Sequence, residues 1–138
     1  MGCDIHMVLE KRINGKWVTT QTFDAIESWN GFASPIARNR NYERFARLAG
    51  VRGDGPEPRG IPDDLSETGR YHVDVWSGDG HSHSWLPLKD AVKVFAETEH
   101  KKHEPNSTAT EYPTDYYFGV SDDDSEMDDY RVVFWFDN

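Results

Sequence analysis

The sequence predicts a small α+β domain: a mixed or antiparallel sheet with an N-terminal hairpin and a C-terminal strand, packed by two short helices and long loops. Three observations predict it. Apolar and polar residues alternate with period two around an Asn-Gly pair near the start. Helical spacing follows Asn41 and again Pro87. The chain closes on an aromatic, β-branched run that suits a buried strand.

In the first segment Ile5, Met7 and Leu9 face one way, and Asp4, His6 and Glu10 the other, with Val8 among them. Asn14-Gly15 tolerates positive φ at both positions, so it predicts a type I′ turn into a partner strand over 16–20. Trp17 is then a cross-strand anchor. Residues 23–40 show no period and read as loop. Asn41 caps a helix whose stripe is Tyr42, Phe45, Leu48 and Ala49, and Gly50 ends it. Gly53, Gly55, Pro56, Pro58, Gly60 and Pro62 mark a long constrained loop, of the kind that often carries function. Val73 to Trp76 reads as a brief strand, and Asp79-Gly80 turns the chain into His81-Ser82-His83-Ser84-Trp85. Pro87 starts a second helix through Leu88, Ala91, Val92 and Phe95. Residues 100–113 are polar, and 121–129 form an acidic run without the glycine and final glutamate of a calcium loop. Tyr130, Val132, Phe134 and Phe136 share one face of the last strand, placed most simply beside the N-terminal hairpin.

Bulk properties narrow the function. A chain of 138 residues makes one domain, spanning 1–138. Its mean hydropathy is −0.80, so five Trp, six Tyr and seven Phe must supply the core. The net charge of −10 opposes direct binding to a nucleic-acid backbone or an anionic membrane. A single cysteine, Cys3, allows no intrachain disulfide, and no leader or span is evident, so the cytoplasm is expected. Cys3 faces with Ile5 and reads as a small core residue. A homodimer is the ordinary expectation for a small aromatic-rich chain.

Two constellations could carry chemistry. Asp4 with His6, and His81 with His83, are pairs two residues apart, which on an extended strand project to one side. Together they would form a zinc or manganese site with room for an activated water. The plainer reading is that these histidines are hydrogen-bonded in place. The second constellation is cationic: Arg52 and Arg59 flank the Gly/Pro loop, with Arg131 added from the last strand. Guanidinium groups match phosphate or carboxylate oxygens. Ser82, Ser84 and Trp85 would add hydroxyl donors and a stacking surface for a nucleotide-like ring. Against this, Asp54, Asp63 and Asp64 could simply pair with the arginines.

The opening Met1-Gly2-Cys3-Asp4-Ile5-His6, the helix from Asn41-Tyr42 into Leu48-Ala49-Gly50-Val51-Arg52, and Arg59-Gly60-Ile61-Pro62 resemble a group of small, uncharacterised phage and prophage proteins. So do Asp79-Gly80-His81-Ser82-His83-Ser84-Trp85 and the ending Val133-Phe134-Trp135-Phe136-Asp137-Asn138. Pro87 departs from the group where a helix-capping Thr is expected. The resemblance implies a phage context in the host cytoplasm and lends no mechanism. In that context the leading expectation is a binding protein that sequesters a nucleotide-like signal against host defence. The alternatives are a metal-dependent hydrolase using Asp4, His6, His81 and His83, or an acidic inhibitor of a host protein. Whether the chain is an enzyme is left open.

Overall fold

The computed structural model describes residues 2–24, 37, 40–99, 115–120 and 127–138. The expected loop over 23–40, the polar stretch 100–113 and most of the acidic run lie largely or wholly outside these residues. Four strands form one antiparallel sheet: β1 (Asp4–Ile13), β2 (Lys16–Asp24), β3 (Gly80–Pro87) and β4 (Tyr130–Asp137), in the order β2-β1-β4-β3. Helices α1 (Tyr42–Ala49) and α3 (Leu88–Glu97) pack on one face, and α2 (Glu67–Val75) on the other. A short helix, α4 (Asp115–Phe118), and a 3-10 turn at Met127–Asp129 complete the described elements.

Local chemistry explains most boundaries. Asn14 and Gly15 hold φ of 52° and 79°, the positive pair a type I′ turn requires, so Arg12 lies opposite Trp17 and Ile13 opposite Lys16. The Asn41 side chain accepts a hydrogen bond from Arg44 N at 3.0 Å, and Gly50 closes α1 at φ 69°. The expected strand at Val73–Trp76 is instead the last turn of α2. Ser66 accepts from Gly69 N and nucleates a helix that brings Val73 onto Val8, Val133 and Trp135, outweighing the β-branched preference.

The sheet buries both faces. On the first lie Cys3, Ile5, Met7 and Leu9 with Val132, Phe134 and Phe136, beneath Phe45, Leu48, Leu88 and Phe95. The second holds Val8, Val133 and Trp135 together with charged or titratable His6, Glu10 and Arg131, all buried. A strand face that looks half-polar in sequence is therefore interior, and its polar groups require partners. Those partners define the site.

Candidate functional site

A cleft of about 660 Å³ opens on the second face, where the end of the β1–β2 hairpin meets the start of β4. It is lined by Arg12 and Trp17 from the hairpin, Arg131 from β4, Trp85 from β3, and the loop running from Arg59 to Asp64. That volume lies within the usual range for small-ligand sites. The loop is fixed to the outer edge of β3: Gly60 N donates to His83 O at 2.9 Å and Arg59 N to Ser84 Oγ at 3.0 Å. Gly60 adopts φ 87°, which turns the chain back toward Pro62.

The floor is a buried ion network. Arg131 Nε donates to Glu10 Oε1 at 2.6 Å, and Ser66 N donates to Glu10 Oε2 at 2.8 Å. Glu10 is fully buried, so its two carboxylate oxygens tie β4 and the start of α2 to β1. The outer edge of the same guanidinium reaches Asp64: Nη1 to Oδ1 at 2.9 Å and Nη2 to the backbone oxygen at 3.3 Å. This hydrogen bond to Arg131 holds the Asp64 carboxyl below its ordinary pKa.

Aromatic and cationic groups alternate across the cleft. Arg12 lies 5.6 Å from the Trp17 ring, Arg131 is 4.1 Å from Trp17 and 6.0 Å from Trp85, and Arg59 is 4.9 Å from Trp85. Each indole thus has two guanidiniums beside it, a packing that holds flat cationic and aromatic groups side by side. Arg12 approaches Asp129 at only 3.7 Å, whereas Arg59 forms no ion pair among the described residues. The lining contains no imidazole, thiol or hydroxyl side chain. It can hold an anion and a ring, and its acid side chains among the described residues are Asp63 and Asp64.

Family models, curated proteins and solved structures yield no match to this chain. The function is therefore read from the site itself.

The expected binding set is only partly brought together. Arg59, Trp85 and Arg131 line the cleft, and Ser84 lies behind it, positioning Arg59 through its backbone. Arg52 does not join them: it stacks at 4.9 Å on Tyr42, beside α1. Ser82 sits in a β-bulge at φ 56°, with its hydroxyl 2.9 Å from His81 Nδ1. Gly55, in the same Gly/Pro loop, packs its backbone against the Ala46 carbonyl, where a Cβ would collide.

The expected metal set does not assemble. Among the described residues no three His, Cys, Asp or Glu side chains are placed to hold a metal ion, zinc and manganese included. The Ser82 bulge breaks the two-residue repeat, so His81 packs by Phe136 and His83 by Trp135, on opposite faces. Asp4 is bound by Arg40 at 2.8 Å. His6 is buried against Trp76, with ring centroids 4.1 Å apart, and its Nδ1 lies 3.0 Å from Asp24 Oδ1. Its Nε2 is 3.3 Å from Asp137 Oδ1 without hydrogen-bond alignment, and both atoms are buried and unpartnered, as is Trp135 Nε1. Burial pushes the His83 imidazole below its ordinary pKa.

Sequence reading missed Arg12 and the functional side of Trp17. The first had a signal: a two-residue Asn-Gly turn fixes the register that sets Arg12 beside Trp17. Asp64, expected as an acid that could pair with the arginines, does so with Arg131.

Proposed function

We propose that this chain is a binding protein for a small, ring-bearing anion of nucleotide type, held in the Trp17–Trp85 cleft. The observation that carries the reading is the convergence of three arginines and two tryptophans on one cavity of ligand size. Arg59 is the anion-seeking arm, since it is exposed and its charge is not consumed by a neighbour among the described residues. Trp17 and Trp85 flank the ring. The acidic exterior repels anions at long range, but guanidinium groups within hydrogen-bond reach dominate at contact. Sequestration fits better than hydrolysis: of the two carboxylates in the lining, Asp64 is tied to Arg131 and held below its ordinary pKa, which makes it a weak base, and Asp63 stands exposed at the rim. The resemblance to phage and prophage proteins supports the wider setting: a nucleotide-like signal of host defence, withdrawn from solution in the host cytoplasm. Consistent with that setting, no described helix is long and apolar enough to cross a membrane.

Native mass spectrometry with adenosine 5′-monophosphate and adenosine tests the reading. The expected result is a saturable adduct with the monophosphate, weak or absent with adenosine, and reduced about tenfold by Arg59→Ala, the usual effect of losing one charge-assisted contact. Equal binding of both compounds, or indifference to Arg59→Ala, overturns it.

A further inference from the structure

Arg131 is the most buried cation in the cleft, yet its outward edge is already covered. Glu10 takes Nε from the interior, leaving only the Nη edge to face the cavity. That edge is occupied by Asp64, whose carboxylate belongs to an exposed stretch of loop and is itself 66% exposed. The two carboxylates differ in kind. Glu10 is locked by Ser66 N and has no route to solvent. Asp64 is held from the solvent side, where another acid group can take its place.

We infer that Asp64 is an internal stand-in for the ligand's acid group, competing for Arg131 and restricting the cleft to ligands that bring a single such group. This rests on the reading of the cleft as an anion site. The charge balance supports the restriction. The three cleft guanidiniums face Asp63 and Asp64 at the rim and Glu10 beneath, so the empty cleft is close to neutral. Displacing the Asp64 carboxylate uncovers one positive charge beside that of Arg59, which suits a carboxylate or a doubly charged phosphate monoester and is insufficient for a polyphosphate. Because Nε is committed to Glu10, the incoming group binds end-on at Nη1 and Nη2, the two atoms Asp64 now uses. The Asp64 side of this pair is open to water, so it breaks more readily than the buried Glu10 contact, and the apparent affinity of a site is reduced by the fraction of time it is occupied by its own competitor. Removing the competitor should therefore tighten binding about fivefold.

The test follows the Arg131 Nε–H resonance and the affinity of full-length protein for inorganic phosphate, acetate and adenosine 5′-monophosphate. Asp64→Asn should bind all three about fivefold more tightly than wild type, with a saturable shift at Arg131. Asp63→Asn is the control: it removes an equal charge from the same rim without touching Arg131, and should change affinity less than twofold. If Asp64→Asn and Asp63→Asn behave alike, or if Arg131 does not respond in Asp64→Asn, the inference is overturned. The cleft reading fails separately. Should Asp64→Asn gain phosphate binding while the nucleotide binds no better than phosphate, Asp64 is a competitor and the ring has no place. Should wild type bind the nucleotide through Arg59 with Asp64→Asn unchanged, the cleft reading stands and the inference falls.

Discussion

The two faces of the sheet solve burial in different ways. On the first, Phe134, Phe136 and Leu9 meet Phe45 and Phe95 in apolar packing, and the buried Arg44 lies above them between the helices. On the second, Val8 and Val133 are flanked by buried polar groups, the Glu10–Arg131 ion pair at one end and the His6 imidazole, 3.0 Å from Asp24, at the other. A well-packed apolar face contributes stability without specifying a ligand. A buried ion pair contributes little net stability over an apolar isostere, yet it fixes where a charge points. The comparison teaches that the Glu10 contact fixes the direction of Arg131 and turns its outer edge to the cleft.

Truncating each face separates the two roles. The largest effect is expected from Phe134→Ala, about 4 kcal/mol of stability by denaturant titration, because it opens a cavity against Phe136 and the helices. Glu10→Ala should cost somewhat less, about 3 kcal/mol, by leaving a buried guanidinium with Asp64 alone. Replacing both members, Glu10→Met with Arg131→Met, should cost about 1 to 2 kcal/mol, mostly from the Ser66 N–H left without its acceptor, and still abolish anion binding. A double variant as unstable as Glu10→Ala would show that the pair serves the fold and would erase the distinction between the faces.

The smallest effect comes from the far end of the second face. Burial depresses the His83 pKa, so the unfolded chain takes up a proton that the folded chain resists. Its contribution is present above the ordinary histidine value and declines as pH falls through that value toward the folded one. His83→Gln should flatten the loss of stability between about pH 7 and pH 5 relative to wild type, measured by thermal melts. A parallel slope in both proteins would remove His83 from the account.

Much of the fold was legible because its signals are local. The Asn14-Gly15 turn, the Asn41 cap and the alternation in β1 and β4 each act within a few residues. Helix α2 was hidden because Ser66, whose cap starts it, precedes a glycine and two valines that suggest extended chain. The site divides similarly. Arg59, Trp85 and Arg131 are unusual residue types beside turns, and such residues can be singled out by eye. Which of them meet is decided by the crossing from β1 to β4, a pairing that links Glu10 to Arg131 and leaves Arg52 at the opposite face by Tyr42. The histidines misled for a specific reason: positive φ at Ser82 is invisible in sequence, and it turns His81 and His83 apart.

The central claim is that the cleft, and no other part of the second face, takes up a ring-bearing anion. Indole N–H resonances report it directly, since Trp17 and Trp85 line the cleft while Trp135 lies beyond Val133 near His6. Titration with adenosine 5′-monophosphate should move the Trp17 and Trp85 signals saturably and leave Trp135 in place. Movement confined to Trp135, or none at Trp17 and Trp85 at any concentration that saturates the protein, would contradict the account.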